Sequence, residues 1–291
     1  MCMPNLPSVA AIIPTFNRKD KLRRFLDLML IQTYPNLQII VIDSSSRDGT
    51  TKLVMDLSPQ VTLIQVSDRE FWTGATNAGV KLALDRQVDF IFTINDDAVI
   101  EPNHISRLVS LSQQYQLSIL GSRIDYLTPR DRVWSLGTYL EWGTKQFLRI
   151  AYNNVKLADI PQQILTQELI SVDALPGNGV LIRADVFNKI GLYNANFCPH
   201  YHGDSEFIMR AKVSGIKAWI APKIILSNDF SNVQKQLPPK TIAGLKYIFF
   251  NPKSHLFMVA IFYLIWQYCP IAKQAPTLWS LFKRFQAMKT S

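Results

Sequence analysis

The 291-residue sequence contains little cysteine, and its three cysteines, Cys2, Cys198 and Cys269, lie far apart. That spacing fits neither a disulfide framework nor a set of metal ligands, and it favours a reducing compartment. Histidine is also scarce, with only four residues. The first 14 residues contain no Lys or Arg and no long apolar core, so they do not resemble a signal peptide. We therefore expect a cytoplasmic protein.

Acidic residues are missing from the C-terminal part of the chain. Residues 231–291 contain eight Lys or Arg and no Asp or Glu, so the net charge of +9 leaves only +1 for residues 1–230. This asymmetry predicts a near-neutral domain over residues 1–230 and a basic tail over residues 231–291 that meets an anionic partner. The basic residues alternate with aliphatic and aromatic runs, which disfavours nucleic acid and favours an anionic membrane surface.

The tail contains two apolar segments. Residues 256–269 form a 14-residue run interrupted by Gln267, whereas a bilayer span needs about 20 apolar residues. Residues 277–289 place apolar side chains on one helix face beside Lys283 and Arg284, as in helices that lie on anionic lipid. We expect peripheral association with the cytosolic face of the membrane. The alternatives are a span through residues 256–272, packing on the domain, or formation of a homo-oligomer.

The first 100 residues alternate between strand and helix patterns. Such alternation, with short turns, predicts an α/β fold with a parallel sheet and helices on both faces. After residue 120 the alternation weakens, and the aromatic-rich residues 121–152 indicate irregular or antiparallel structure. The predicted strands are residues 9–13, 37–42, 61–66, 90–94, 180–183 and 216–221, and the predicted helices are residues 19–30, 50–57, 75–84, 184–190 and 204–214.

Two adjacent carboxylates, Asp96 and Asp97, follow the fourth predicted strand. Ligands of open α/β sheets bind beyond the carboxyl ends of the strands. Polar clusters at residues 14–17, 43–48 and 95–97 all fall at those ends. Mg²⁺ and Mn²⁺ take oxygen ligands, often one or two carboxylates together with substrate phosphates, so the pair is a candidate cation site. An acidic turn without a ligand is the structural alternative.

Six short motifs occur in a fixed order along the chain. They are Ile-Ile-Pro-Thr-Phe-Asn-Arg at 12–18, Val-Ile-Asp-Ser-Ser-Ser-Arg-Asp-Gly-Thr at 41–50, Phe-Trp-Thr-Gly-Ala-Thr-Asn-Ala-Gly at 71–79, Asn-Asp-Asp at 95–97, Leu-Pro-Gly-Asn-Gly-Val at 175–180 and Gly-Asp-Ser-Glu-Phe at 203–207.

Together these motifs resemble the family-two inverting glycosyltransferases over about residues 8–225. The resemblance implies the GT-A fold, a Rossmann-type mixed sheet with helices on both faces, here followed by C-terminal amphipathic helices. It implies a nucleotide-binding half over about residues 8–120 and an acceptor half over about residues 121–230. The implied reaction moves a hexosyl or deoxyhexosyl group from a nucleotide-diphospho-sugar to a glycan or lipid-linked acceptor hydroxyl, in the assembly of surface polysaccharide or glycolipid.

The resemblance also implies roles for individual residues on the donor side. The metal, Mg²⁺ or Mn²⁺, would be held by Asp97 with Asp96 beside it. Asn95 stands where the family has the first acid of its metal motif. The family's third ligand, a His, is absent, and Asn228, Asp229 or a water molecule would replace it as an oxygen ligand. The residues implied to contact the nucleotide are Pro14, Thr15, Asn17, Asp43, Gly74, Asn77 and Asp96.

On the acceptor side the resemblance implies that Asp204 is the general base that takes the proton of the acceptor hydroxyl. Asp204 is equally suited to cap the helix that follows it. The implied acceptor-side residues are Trp72, Gly177, Asn178, His202 and Glu206.

Two other functions compete with this interpretation. A nucleotidyltransferase would need a glycine-rich phosphate loop after the first strand, and residues 14–18 contain no glycine. A catalytically silent sugar-nucleotide-binding or membrane adaptor on the same scaffold is favoured by Asn95 and by the absent His.

Overall fold

The structure is a computed structural model that describes residues 6–230, 241–254 and 256–287. Its strands are β1 (Val9–Thr15), β2 (Leu37–Asp43), β3 (Val61–Gln65), β4 (Phe90–Thr93), β5 (Ala98–Ile100), β6 (Ile119–Tyr126), β7 (Arg132–Ser135), β8 (Thr138–Leu140), β9 (Leu148–Ile150), β10 (Val155–Lys156), β11 (Ile170–Val172), β12 (Val180–Arg183) and β13 (Ala218–Asn228). Its helices are α1 (Lys19–Leu30), α2 (Thr50–Met55), α3 (Phe71–Asp85), α4 (His104–Gln114), α5 (Gln162–Thr166), α6 (Ala184–Ile190), α7 (Gly203–Val213), α8 (Ile242–Phe250), α9 (Met258–Tyr268) and α10 (Ile271–Ala287).

The first four strands form the parallel sheet that the sequence predicts, in the order β3-β2-β1-β4. Their side chains alternate between the two faces, as strand geometry requires. Ala11 and Ile13 of β1 pack with Phe25 of α1, whereas Ile12 packs on the opposite face with the residues of α3. Both faces are apolar because helices cover both.

Helix α3 approaches the sheet closely at Gly79. A Cβ atom at this position would lie 2.7 Å from side-chain atoms of both Ile12 and Ile42, so only glycine allows this contact. The helix begins at Phe71, four residues before the predicted start at residue 75. The polar residues of the Thr-Gly-Ala-Thr-Asn stretch therefore lie inside the helix.

The second half of the sheet is mixed, as the GT-A resemblance implies. Strand β12 runs antiparallel between β4 and β6, and β13 runs parallel to β6. Residues 121–152 form β6 to β9, largely antiparallel, as predicted. Strand β13 continues to Asn228, seven residues beyond the predicted end at 221, because the register shift between Ala221 and Ile225 accommodates Pro222.

The C-terminal helices pack on the domain, which was one of the alternatives from the sequence. Ile261, Leu264 and Ile265 of α9 join a buried cluster with Met209 of α7 and Phe147. In α10 the Thr277 hydroxyl accepts a hydrogen bond from the backbone N–H of Gly143 at 2.7 Å, and the Ser280 hydroxyl donates to its carbonyl at 2.8 Å.

The predicted boundaries of these helices change as well. Helix α10 begins six residues before the predicted start at 277 and contains Pro276, and the apolar run 256–269 is divided between α9 and the turn at Pro270. Among the described residues, no helix combines the length and the apolar character that a bilayer crossing requires. Residues 231–240 and 288–291 of the predicted tail lie outside the described residues.

Candidate active site

Three loops meet at the carboxyl ends of the parallel strands. Thr15 at the end of β1 is the register partner of Asp43 at the end of β2, and its hydroxyl donates a 2.7 Å hydrogen bond to Oδ2 of Asp96 after β4. The predicted polar clusters of the nucleotide-binding half therefore lie at one edge of the sheet.

Asp43 is fully buried and organises the loop after β2. Its Oδ1 accepts from the backbone N–H of Ser46 at 3.0 Å, and its Oδ2 accepts from the Thr51 hydroxyl at 2.5 Å. A carboxylate has four acceptor sites, and these donors fill two of them. Asp43 is thus held rigidly beneath the loop, and its contact with a nucleobase stays a prediction.

Asn17 joins the loop after β1 to the loop after β2. Its backbone has a positive φ of 51°, which Asn tolerates. Its side-chain oxygen accepts from the N–H of Arg47, and its own N–H donates to Ser46, both at 2.7 Å. Pro14, inside β1, directs the chain into this loop.

The two carboxylates after β4 face cationic side chains. Nη1 of Arg18 lies 2.7 Å from Oδ1 of Asp96 and 3.1 Å from Oδ2 of Asp97, and Nζ of Lys21 lies 3.6 Å from that same oxygen of Asp97. The side chain of Asp96 is buried, with 3% exposure, and that of Asp97 is 9% exposed.

Burial is the largest influence on the ionisation of this group. It raises the pKa of the Asp96 carboxyl, and the charge of Arg18 with the hydrogen bond from Thr15 offsets only part of that rise. Burial also lowers the pKa of the Arg18 guanidinium, but Asp96 and Asp97 more than offset this, so its pKa lies above the ordinary value. Arg18 and the two acids thus form one coupled charge group.

A series of neutral amides connects the acids to the second half of the sheet. Asn228 donates from Nδ2 to Oδ1 of Asp97 at 2.9 Å, and its oxygen accepts from Asn178 at 3.3 Å. Asn178 accepts from the backbone N–H of Asn95 at 3.0 Å, and the Asn95 oxygen accepts from Nε1 of Trp72 at 3.3 Å. The amide nitrogen of Asn228 faces Asp97 and its oxygen faces Asn178, so that an oxygen of Asn228 would hold a cation stays a prediction.

Asp204 lies where the two halves of the domain meet. Its Oδ2 accepts from the N–H of Gly177 and its Oδ1 from the N–H of Ser205, both at 2.7 Å. A Cβ on Gly177 would lie 2.4 Å from the Trp72 indole and 3.2 Å from the Cβ of Asp204, so the glycine fits tightly between them. The predicted residues Trp72, Gly177 and Asp204 are therefore neighbours.

The capping role considered for Asp204 is wrong. Helix α7 begins at Gly203, and His202, in the left-handed region with φ of 68°, is the N-cap. Asp204 is the second residue of the helix, where a carboxylate is stabilised by the positive end of the helix dipole. This placement leaves Asp204 on the first turn, facing Gly177.

Glu206 is fully buried and uses both carboxylate oxygens in contacts within the protein. Its Oε2 accepts from Arg210 at 3.1 Å, and its Oε1 accepts from the Tyr268 hydroxyl of α9 at 2.6 Å. Burial, and after it the Glu206 carboxylate, raises the pKa of the Tyr268 hydroxyl. Tyr268 therefore acts as a donor, and Glu206 ties α7 to the C-terminal helices instead of facing an acceptor.

Two residues implied to contact the nucleotide lie inside α3. The amide of Asn77 makes two hydrogen bonds with the backbone of Tyr193, at 2.8 and 3.0 Å. Gly74 is buried, and a Cβ there would lie 2.2 Å from the Glu70 carboxylate. These positions link α3 to its neighbours, and the early start of the helix explains why they do not form its N-terminus.

Sequence reasoning overlooked three basic or polar residues of this site. Arg18 stands within the first motif, and a basic residue directly before α1 was the available signal. Tyr268 and Lys253 come from the tail, where no local pattern indicates a contact more than 60 residues away. Nζ of Lys253 lies 5.6 Å from the ring centre of Phe16 and 5.9 Å from that of Phe71.

Lys253 also affects the ionisation of a nearby histidine. Burial, and after it the charge of Lys253, lowers the pKa of His200 to about 4.

Within the described residues, no three His, Cys, Asp or Glu side chains gather into a group that could hold a metal ion. Asp96 and Asp97 lie side by side at this edge of the sheet and pair with Arg18 and Lys21.

Comparison with known proteins identifies the family to which the sequence is similar. A sequence model of the family described as Glycosyl transferase family 2 matches residues 10–174, more than half of the chain. The O-antigen biosynthesis protein RfbC of Myxococcus xanthus is 22% identical over 255 residues, which cover 84% of this chain and 19% of that protein. The chain thus spans about a fifth of the length of this curated relative.

Two solved structures share the fold. The structure of S. aureus TarS 1-349 in complex with UDP-GlcNAc has a TM-score of 0.54 and 14% identity, covering 76% of this chain and 58% of that one. The structure of GalNAc-T7 with UDP, GalNAc and Mn²⁺ has a TM-score of 0.62 and 15% identity, covering 78% of this chain and 44% of that one. The likeness confirms the predicted GT-A fold.

The contact between Tyr268 and Glu206 leads to a prediction about stability. Replacing Tyr268 by Phe removes one hydroxyl and leaves a fully buried carboxylate oxygen without its donor. We expect a loss of about 1–3 kcal/mol in the free energy of unfolding, measured by denaturant titration. Tyr247→Phe, at a tyrosine of α8 that is 41% exposed, is the control and should unfold like the unmodified protein. Equal stability of all three proteins would contradict this account of the tail.

Proposed function

The chain belongs to glycosyl transferase family 2, and on that premise we propose that it moves a hexosyl or deoxyhexosyl group, with inversion, from a nucleotide-diphospho-sugar to an acceptor hydroxyl. The observation that carries this proposal is the position of Asp204. Its carboxylate lies beside Gly177 and Trp72, and Trp72 is hydrogen-bonded to the Asn95 that precedes the acidic pair. The side chain of Trp72 thus connects the proposed base to the proposed donor site.

The chemistry follows from this arrangement. Asp204 accepts the proton of the acceptor hydroxyl, and the oxygen forms a bond to the anomeric carbon on the face opposite the leaving group. The bond from that carbon to the phosphate oxygen breaks, and the nucleoside diphosphate leaves with the electron pair. Two backbone N–H groups orient Asp204, and Oδ1 also accepts from the Ser205 hydroxyl at 3.4 Å. Oδ2, which accepts only from Gly177, keeps an acceptor position for the hydroxyl.

A divalent cation fits the donor side. The carboxylates of Asp96 and Asp97 already attract the cationic side chains of Arg18 and Lys21, and oxygen donors of this kind suit Mg²⁺ or Mn²⁺ completed by phosphate oxygens and water. Asp97, with Asp96 beside it, would hold the ion. When bound, the ion neutralises charge on the leaving diphosphate. The GalNAc-T7 structure, which contains UDP and Mn²⁺, supports this assignment.

The nucleotide is proposed to lie along the loops after β1 and β2. We expect Asp43 to accept from a nucleobase N–H after the loop that buries it shifts, with Pro14, Thr15 and Asn17 beside it. We place Asn178 and His202 on the acceptor side, next to Asp204. A glycan or a lipid-linked glycan is the proposed acceptor, in surface polysaccharide or glycolipid assembly, as the name of the relative RfbC supports.

The outward face of the C-terminal helices supports peripheral attachment to the cytosolic face of a membrane. Trp266 of α9 is 78% exposed, Ile271 of α10 is 88% exposed and Trp279 of α10 is 57% exposed. Exposed Lys273 and Lys283 lie among them. Aromatic and aliphatic side chains with neighbouring Lys suit the interface of an anionic bilayer. The opposite face of α9 packs on the domain, so attachment does not require the helices to leave it.

Turnover of sugar nucleotides tests the proposed activity. The protein is incubated with UDP-, dTDP- and GDP-sugars and Mn²⁺, and release of nucleoside diphosphate is measured with and without a mixed pool of glycan acceptors. We expect one donor to be turned over. Asp204→Asn should lower turnover by about 10²- to 10⁴-fold because the base is lost, and Asp97→Ala should lower it through the lost metal ligand.

Asp85→Asn is the matched control, since it neutralises an exposed carboxylate at the end of α3. It should keep full turnover. Nucleotide binding without turnover of any donor would favour the silent adaptor, and unchanged turnover in Asp204→Asn would refute its role as the base.

Co-sedimentation with vesicles tests the membrane surface. We expect the protein to sediment with phosphatidylglycerol vesicles more than with phosphatidylcholine vesicles, because the exposed lysines attract anionic lipid. The double variant Trp266→Ser/Trp279→Ser should bind clearly less. Leu30→Ser/Ile31→Ser removes an exposed apolar pair at the end of α1 and should bind like the unmodified protein. Equal binding by both double variants would refute the surface.

A further inference from the structure

Arg18 occupies the place between the two acids of the candidate metal site. A single guanidinium nitrogen, Nη1, contacts both carboxylates, at 2.7 Å from Asp96 and 3.1 Å from Asp97. Lys21, one turn further along α1, adds a second cation at 3.6 Å from Asp97. The positive charge that the pair requires is therefore supplied by the chain itself.

The two acids differ in how firmly they hold this cation. Asp96 is the more buried and has a second donor, the Thr15 hydroxyl, at 2.7 Å. The contact between Arg18 and Asp97 is longer and lies toward the exposed rim, where the Arg18 side chain is 44% exposed. The contact of Arg18 with Asp97 can thus break while its contact with Asp96 remains.

Both oxygens of Asp97 already have donors. Oδ2 faces Arg18 and Lys21, and Oδ1 accepts from the neutral amide of Asn228 at 2.9 Å. An ion that binds Oδ2 must therefore displace a donor, whereas Oδ1 keeps one acceptor position. A divalent cation close to the guanidinium would meet like-charge repulsion, which is strong at short distance in a partly buried site.

We propose that Arg18 is a positioning residue of the donor site, which holds the ionised pair in place without metal and which the divalent cation displaces from Asp97. This proposal rests on the proposed function, since that is where the cation is assigned. The diphosphate of the donor gives the released guanidinium a new anionic partner. Metal and nucleotide diphosphate consequently strengthen each other's binding.

Whether removal of Arg18 raises or lowers the affinity for Mn²⁺ distinguishes this role from a purely structural one. If Arg18 only supports the fold, its removal leaves Mn²⁺ binding unchanged or weakens it. If Arg18 competes with the ion, its removal strengthens Mn²⁺ binding. Titration of the free protein with Mn²⁺ alone, followed by the electron paramagnetic resonance signal of free Mn²⁺, measures the affinity without any substrate.

We expect Arg18→Gln to bind Mn²⁺ about tenfold more tightly than the unmodified protein, equivalent to about 1.4 kcal/mol. Arg23→Gln removes the same charge from an exposed position on α1, the helix that follows Arg18, and should leave the affinity unchanged. Asp97→Asn should remove the binding. UDP should tighten Mn²⁺ binding in the unmodified protein more than in Arg18→Gln, because only the former must relocate the guanidinium.

Lys21→Gln carries the same test if Arg18→Gln does not fold, since Lys21 contacts Asp97 at a longer distance; a smaller tightening, about threefold, is expected. Equal Mn²⁺ affinity of the unmodified protein and these variants would overturn the role of Arg18 and leave the proposed reaction standing. Absence of Mn²⁺ binding in every variant would overturn both this role and the assignment of the metal.

Discussion

The burial of the Asp96 carboxylate at the end of β4 is the constraint on which the site depends. A buried carboxylate is costly unless it is paired and hydrogen-bonded, and its partners come from two other places in the chain. Thr15 ends β1, and Arg18 precedes α1. Because Thr15 and Arg18 hydrogen-bond the Asp96 carboxylate, they hold the loop after β1 against the end of β4. The same guanidinium contacts Asp97, so the position of the loop after β1 and the charge pairing of both acids are linked.

Hydrogen bonds between uncharged side chains connect this charged edge to the second half of the sheet. The amides of Asn95, Asn178 and Asn228 join three strand ends without adding charge. An aspartate at position 95 could accept from Trp72 in the same way but would place another negative charge beside Asp96, which gives the departure from the family motif a physical context. Gly177 then allows Trp72 and Asp204 to approach from opposite sides.

Strands β1 to β4 and the meeting of their polar ends at one edge were predictable, because apolar runs followed by polar residues are local in sequence; the order of the strands was not. The proximity of Asp96 to Thr15 followed from that common edge. The bidentate contact of Asn77 with Tyr193 was not predictable, since it joins residues 116 positions apart. Nor was the Tyr268 contact with Glu206, because the apolar pattern of α9 fits a protein core as well as a membrane. The start of helix α10 was not predictable either, because Pro276 lies inside the helix and a proline ordinarily marks a helix boundary.

The central claim is that Asp97 receives the divalent cation of the donor and that Arg18 yields to it. Crystals of the protein with UDP and Mn²⁺, measured at the manganese absorption edge, test this directly. We predict an anomalous peak in coordination contact with Asp97, with Arg18 turned from Asp97 toward the diphosphate and still close to Asp96. A bound UDP with no manganese at Asp97, and with Arg18 still joining both carboxylates, would contradict it.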